Sequence, residues 1–358
     1  MTTSESIDKQ NETDKVRLAR YVRQTLYPGI GLAGQKKLEA ARVLIVGCGA
    51  LGTGLANHLG RAGVGHITII DRDFIELNNL QRQTLFDEED LRQNLPKAVA
   101  AANKLRLINS EITVEAVVED LNYENVVNLV SRADLVLDGT DNFETRYLLN
   151  DVCVKLGKPW VYSGVIAAYG VSSTIVPGQT PCLRCLFPDP PPPGSTPTCD
   201  TAGIIGSIVG VISSIAAGEA LKLITGNGKI NRGLLSIDLW QNSFDRLPIE
   251  APLPDCSCCG RRNFEFLNAQ DERGSHAASL CGRNAVQVSV RPTPELNLAE
   301  LAERLQTAGA KSLNHNEYLL KFALDGYDFT VFPDARAIIK GTEDQNLAKS
   351  LYARYIGV

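Results

Sequence analysis

Behind a glycine turn this chain places an arginine, a lysine and an aspartate in an order that suits a triphosphate. The turn, Gly47-Cys48-Gly49-Ala50-Leu51-Gly52, follows the apolar run Val43–Val46. Glycines there permit a tight bend and bring backbone amides close to phosphate at a helix N-terminus. Asp71, in Asp71-Arg72-Asp73, lies 19 residues after Gly52, the distance at which an acid meets a ribose hydroxyl. Helix–sheet packing alone would ask for the same glycines, but not for the acid. Then come Asn78-Asn79-Leu80-Gln81-Arg82-Gln83, Lys97 and Asp138-Gly139-Thr140-Asp141-Asn142. Attack at the α-phosphorus of a triphosphate needs cations on the departing pyrophosphate and an acid that holds Mg2+. Each such residue alone is more often a solvated charge. Together Arg82, Lys97 and Asp141 predict an enzyme that spends ATP, whereas hydride transfer has no use for them.

The cysteines form a second constellation. Cys182-x2-Cys185 and Cys256-x2-Cys259 are two metal-knuckle spacings with 70 residues between the pairs. Four thiolates suit a closed tetrahedral Zn2+ site with no open position for catalysis. Cys258 lies inside the second knuckle; Cys256 and Cys259 are assigned because their spacing matches the first. Cys199, in Thr198-Cys199-Asp200-Thr201-Ala202-Gly203, precedes a long apolar helix. A cysteine at a helix start is either a reactive thiolate or a residue without chemistry, and both readings stay open. Cys48, Cys153 and Cys281 are read as packing residues, and the four histidines have no metal or triad spacing.

These residues need a frame. From Val43 to Ser163 apolar runs alternate with helical patterns, which predicts a parallel sheet with helices on both faces, a Rossmann-like α/β fold. Strands are expected at Val43–Val46, Ile67–Ile70, Ile112–Val117, Leu135–Leu137 and Trp160–Ser163. Helices are expected near Leu51–Ala62, Pro96–Ile108, Glu124–Ser131 and Phe143–Leu156, with a short one in Arg17–Gln35. Tyr169–Val176 and Gly233–Leu239 read as strands that turn back, so the sheet continues antiparallel. Pro188–Pro197 is too rich in proline for helix or central strand and reads as an exposed, semi-rigid loop. Four segments result: a disordered leader (1–16), an ATP-binding domain with the zinc site (17–267), a polar linker (268–284) and a small C-terminal α/β module (285–358). That module reads as a strand from Ala285, a helix at Asn297–Ala308, strands at Tyr318–Ala323, Tyr327–Phe332 and Ala335–Ile339, and a last helix.

The 358 residues, 44% hydrophobic and 22% charged, provide for a large core. A net charge of −5 argues against nucleic acid or a membrane surface as partner. Ala202–Gly218 carries no charge over 17 residues, at the lower limit for a membrane span. Its four glycines and three serines, with Glu219 and Lys222 following, favour a helix buried in the protein or at a subunit contact. The polar first fifteen residues show no apolar signal, and nine cysteines without one read as thiols or ligands in a cytoplasmic protein.

As a set, Arg-Tyr-x-Arg-Gln (Arg20–Gln24), Gly-x-Gly-Ala-Leu-Gly, Asp-x-Asp, Asn-Leu-Gln-Arg-Gln, Pro-Lys, Gly-Thr-Asp-Asn and the paired knuckles resemble one family. It is the ubiquitin-activating-enzyme-like adenylyltransferases of the ThiF/MoeB type, and the resemblance spans Arg17 to Leu267. It implies ATP, Mg2+ and Zn2+ as cofactors and a ubiquitin-like sulfur-carrier protein ending in Gly-Gly as substrate. Gly47, Gly49, Ala50, Gly52, Asp71, Asp73, Asn78, Asn79, Gln81, Arg82, Lys97, Asp141 and Asn142 would surround the nucleotide, with Asp71 on the ribose. Arg23 would reach into the partner subunit's site, making a homodimer. Cys199 corresponds to the family's thioester or persulfide cysteine, and Pro188–Pro197 to the segment that crosses the carrier's tail. The acyl-adenylate would accept sulfur from a persulfide donor, for thiamine, molybdenum cofactor or a similar product. Ala50 departs from the glycine of many members, a small change because only its backbone amide is needed. No cysteine follows Cys281, so the C-terminal module is expected to lack a sulfur-transfer site. The alternatives are a tRNA threonylcarbamoyladenosine dehydratase-type adenylating enzyme, an NAD-dependent dehydrogenase, and a module that holds a carrier without activating it.

Overall fold

The computed structural model describes residues 18–191, 199–249, 251–268, 274–280, 284–291 and 296–357. The expected leader (1–16) and positions 192–198 of the proline loop lie outside the described residues. The chain divides into two units, Met1–Ala269 and Gln270–Val358.

The first unit is built on one eight-stranded sheet. Its strands are β1 (Arg42–Val46), β2 (His66–Ile70), β3 (Thr113–Val117), β4 (Leu135–Asp138), β5 (Trp160–Ile166), β6 (Tyr169–Ile175), β7 (Leu234–Asp238) and β8 (Ser243–Leu247). They lie in the order β3-β2-β1-β4-β5-β6-β7-β8. Pairing is parallel from β3 to β5 and antiparallel from β5 to β8. β1 is apolar at four successive positions because both faces of a parallel sheet are covered. Val43 and Ile45 face one core, shared with helices α2 (Ala50–Ala62), α3 (Lys97–Ile108) and α6 (Gly206–Thr225). Leu44 and Val46 face the other, shared with α4 (Val126–Ser131) and α5 (Phe143–Leu156). A further helix, α1 (Gly31–Ala40), lies between the N-terminal segment and β1.

Among the described residues α6 alone has the length and composition of a membrane span. Its Glu219 is buried and accepts hydrogen bonds from Thr174 Oγ1 (2.7 Å) and Asn231 N (2.8 Å). Those bonds seat one side of the helix in the core of this unit.

The second unit is an antiparallel sheet in the order β11-β12-β13-β14-β10-β9. Its strands are β9 (Gly274–Leu280), β10 (Ala285–Arg291), β11 (Lys311–His315), β12 (Leu320–Leu324), β13 (Tyr327–Val331) and β14 (Ala337–Lys340). Helices α7 (Leu298–Thr307) and α8 (Gln345–Tyr355) share its core, where the Phe322 and Phe329 rings stack at 4.6 Å.

The expected parallel strands and their crossover helices stand where the sequence placed them, with β5 running on to Ile166. Three strands were not anticipated. β8, β9 and β11 are polar or edge strands without an apolar stripe, so period-2 patterning does not mark them. β9 falls within the stretch 268–284 read as a linker. The strand expected from Ala335 begins at Ala337, because Ala335 adopts a left-handed φ of 58°.

The turns after β1 and β4 are pressed together. A Cβ on Gly52 would stand 1.9 Å from Gly47 O, and one on Gly139 2.4 Å from the same oxygen. Gly52→Ala is therefore expected to destabilise the unit by about 1–3 kcal/mol or more, read as a lower Tm by calorimetry. An unchanged Tm would show that the turn yields.

Candidate nucleotide site and cysteine cluster

The strand order reverses between β1 and β4, and the carboxyl ends of strands at such a point form a crevice for ligands. Gly47, at φ 85°, turns the chain out of β1, and Gly49 caps α2. Cys48 N donates to Asp71 Oδ2 (2.6 Å) and Asp73 N to Asp71 Oδ1 (2.7 Å). The acid at the end of β2 is thus fixed to the turn it was expected to work with. Burial raises the Asp71 pKa above the usual aspartate value, and the charge of Lys97 works against that rise. Lys97 is the first residue of α3, and Pro96, expected to open the helix, stands at its N-cap. The Lys97 backbone N–H donates to Asp73 O (2.8 Å), and its ammonium lies 3.1 Å from Asp73 Oδ2.

The loop between β2 and α3 gives its residues different tasks. Asn79 is buried in a 3-10 turn, where Oδ1 accepts from Glu76 N (3.1 Å) and Nδ2 donates to Asn78 Oδ1 (2.8 Å). Asn78 and Asn79 therefore shape the loop in this structure. Arg82 donates to Asn78 O (2.7 Å), and Gln81 reaches Ile204 O just before α6 (3.5 Å). Gln83 was not among the expected site residues. It is buried, and its Oε1 has no hydrogen-bond partner among the described residues. Its Nε2 lies 3.9 Å from where a Cβ on Gly49 would stand, against the glycine turn. Its one sequence signal was adjacency to Arg82.

The turn after β4 is held from below. Asp138 is wholly buried and accepts from Thr140 N (2.8 Å), Thr140 Oγ1 (2.7 Å), Arg146 Nε (3.0 Å) and Ser163 N (3.4 Å). Arg146 also donates to Thr140 O (2.7 Å) and Ser163 O (3.1 Å), with its guanidinium over the Phe143 and Tyr162 rings. Asp141 and Asn142 are exposed at the rim. The Asn142 side chain caps α5 by accepting from Thr145 N (2.8 Å). Nothing in the sequence marks Arg146, because a lone arginine within a helix reads as solvated.

Arg23 stands apart. Arg20 donates to Ile108 O (2.8 Å), Tyr21 OH accepts from Asn109 Nδ2 (2.8 Å), and Gln24 donates to Ala62 O (2.9 Å). These anchor the segment and leave Arg23 exposed, without a hydrogen bond or ion pair among the described residues. Cys199 opens a short helix, Cys199–Ala202, ahead of α6.

The cysteine cluster closes as the spacing predicts. The sulfurs of Cys182, Cys185, Cys256 and Cys259 all lie within 4.8 Å of one another. Cys182–Cys185, Cys182–Cys256 and Cys185–Cys259 are 3.8, 3.6 and 3.4 Å apart. A tetrahedral zinc with bonds of about 2.3 Å would set its sulfurs about 3.8 Å apart, so the donor set fits that ion. Hydrogen bonds from its neighbours pull Cys182 down, and their bonding to Cys182 pushes Cys185 up to about 12 and Cys258 higher still. A dication that takes four thiolates removes that conflict. Cys258, fully buried, stays outside the set and accepts from Asn150 Nδ2 (3.1 Å).

The sequence model of the ThiF family matches residues 21–258. The chain is 44% identical over 339 residues to the sulfur carrier protein ThiS adenylyltransferase of Bacillus subtilis, covering 94% of this chain and 99% of that protein. It is 41% identical to a sulfur carrier protein adenylyltransferase of Thermus thermophilus, over 69% of this chain and 92% of the relative. Among solved structures it resembles Escherichia coli MccB with ATP, at 27% identity and a TM-score of 0.60, over 67% of this chain and 74% of that one.

Metal analysis of the native protein is expected to find about one zinc per chain. Cys182→Ser should lose the metal and lower Tm, because binding a structural metal contributes directly to folding. A native protein without zinc would remove this site.

Proposed function

Because the chain belongs to the ThiF family, we propose that it adenylylates the C-terminal glycine of a ubiquitin-like sulfur-carrier protein with ATP. The observation that carries this reading is the meeting of the Gly47–Gly52 turn, Asp71, Lys97 and the Gly139–Asp141 turn at adjacent strand ends. The solved relative with ATP has the same fold, and a relative matched over 99% of its length is named for this reaction. The carrier's carboxylate attacks the α-phosphorus, a new oxygen–phosphorus bond forms, and pyrophosphate leaves with the electron pair of the broken bond. No general base is required, because a terminal carboxylate is already ionised at neutral pH. Catalysis is then positioning and charge neutralisation. Asp71 orients the ribose, the amides of Gly49–Gly52 and Gln83 face the phosphates, and Arg82 and Lys97 meet the departing pyrophosphate. Asp141 would hold Mg2+, which offsets phosphate charge when bound. The four cysteines would hold Zn2+ as a structural ion, remote from the reacting atoms.

The enzyme works as a homodimer in this reading. Near Arg23 in the sequence, Val22, Leu26, Tyr27 and Leu32 are 51, 69, 65 and 59% exposed. Such a patch beside an unbonded arginine suits a subunit contact in which Arg23 enters the neighbouring site. The carrier would dock on the open edge at β8, where Trp240 and Phe244 are exposed. Cys199 is the candidate for a thioester or persulfide step, with a persulfide as sulfur donor.

ATP–pyrophosphate exchange that depends on one carrier ending in Gly-Gly is the expected result. Exchange with no carrier tested would redirect the search to another acyl acceptor, such as a small carboxylate on RNA. Asp141→Ala should lower exchange by about 100-fold or more with Tm unchanged; near-full exchange would sink the Mg2+ assignment. Arg23→Ala and Asp141→Ala are each expected to be inactive alone. Mixed as exchanging subunits they should recover about a quarter of wild-type activity, since each heterodimer holds one intact site. No recovery despite verified subunit exchange would place Arg23 outside the partner's site.

A further inference from the structure

Helix α5 buries polar residues where a helix packed on a sheet ordinarily presents only an apolar stripe. Leu148, Leu149 and Val152 provide that stripe, yet Arg146, Tyr147, Asn150 and Asp151 are buried as well. Positions 146, 147, 150 and 151 fall on one side of two consecutive turns. Each has its own partner. Arg146 holds Asp138 and the Thr140 and Ser163 carbonyls. The Tyr147 hydroxyl donates to Phe187 O (2.9 Å), where the chain leaves the first cysteine knuckle, and its ring lies 4.9 Å from that of Phe266. Asn150 bridges both knuckles: Oδ1 accepts from Leu183 N (2.8 Å) and Nδ2 donates to Cys258 Sγ (3.1 Å). Asp151 Oδ2 accepts from Phe266 N (2.9 Å) and Leu267 N (3.3 Å).

Buried polar groups with directional partners fix a helix in one position, whereas apolar contacts let it slide. The stripe therefore locks α5 to the cysteine cluster at one end and to the Gly139–Asp141 turn at the other. From Asn150 to the start of α5 at Phe143 is only about 10 Å of helix, and Asp141 lies two residues before it. We propose that Tyr147 and Asn150 are positioning residues of the nucleotide site: they hold α5 against the knuckles and so fix where Asp141 stands. The cysteine cluster is the fixed end of a rod whose other end carries the acid. This rests on the reading of Asp141 as the acid that serves the divalent cation.

The test uses the full-length, metal-containing protein and measures Mn2+ affinity in the presence of ATP by electron paramagnetic resonance. It is paired with the Mg2+ concentration that gives half-maximal exchange. Asn150→Leu keeps the side-chain size and removes both bonds to the knuckles. It is expected to weaken Mn2+ binding about three- to tenfold, and to raise the Mg2+ requirement alike, with zinc content and divalent-free ATP affinity as in wild type. A lower Tm or zinc content with unchanged Mn2+ affinity per folded molecule would reduce the stripe to a structural role and overturn the proposal. Should Asn150→Leu not fold, Tyr147→Phe decides, since it loses one hydroxyl and keeps the ring. A weakening of about twofold or more supports the proposal, and the wild-type value overturns it. Asp141→Asn is the reference: unchanged Mn2+ affinity there overturns the reading of Asp141 and this inference together. Weakened affinity in Asp141→Asn with wild-type values in both stripe variants overturns the inference alone.

Discussion

A carboxylate at the end of a wholly buried strand must be bonded on both oxygens, and Asp138 is. It accepts from Thr140 N, Thr140 Oγ1, Arg146 Nε and Ser163 N. Removing one partner of such a pair costs about 3–5 kcal/mol, because the other charge is left buried. Well-packed apolar residues of similar volume often stabilise a core as well as such a pair does. What the ion pair supplies is direction. It bends the chain after β4 back on itself, fixes Thr140 through both its backbone and its hydroxyl, and carries Gly139 into contact with Gly47. The spacing between the glycine turn and Asp141 follows from that contact. So does the start of α5, because the Asn142 cap comes directly after the acid.

What could be read from the sequence was local. The glycine turn, the acid after β2 and the Pro-Lys start of α3 each announce themselves over a few residues, and so do the two knuckles, whose matching spacing predicts the closure seen across 70 residues. What could not be read depends on which side of an element is buried. Arg146, Tyr147, Asn150 and Asp151 look like ordinary polar positions of a helix until both its faces prove covered. Gln83 looks like its neighbours until its burial separates it from the exposed Gln81. In the other direction, Asn79 and Asn142 were expected around the nucleotide, and here their side chains form turn and cap bonds. Asn and Asp readily satisfy local backbone, so the residue types that suit a polar ligand also suit loop geometry.

The N-terminal segment shows how one short stretch serves two ends. Arg20, Tyr21 and Gln24 tie it to Ile108, Asn109 and Ala62, elements already fixed by the sheet. Arg23, between these anchors, is left exposed. An arginine kept outward by anchors on either side loses less freedom on meeting an anion than one on a loose tail. The position of its backbone is therefore a property of the first unit's core.

Lys97 shows the same economy in electrostatics. Its ammonium is largely buried, and Asp73 stands 3.1 Å away at the more open end of the pair, with 7% and 30% of the two side chains exposed. A buried cation without an anion is expensive, so the lysine needs Asp73 for the fold to hold it there. The carboxylate approaches from the solvent side, the side from which a triphosphate would also come. An incoming phosphate can then share or replace an anionic partner, and the ammonium exchanges one ion pair for another without passing through an unpaired state. Asp71 is arranged in a comparable way. Both its oxygens already accept backbone N–H bonds, yet each carboxylate oxygen has a second lone pair to offer a hydroxyl. In both residues the bonds that make burial tolerable also fix the direction in which the group points.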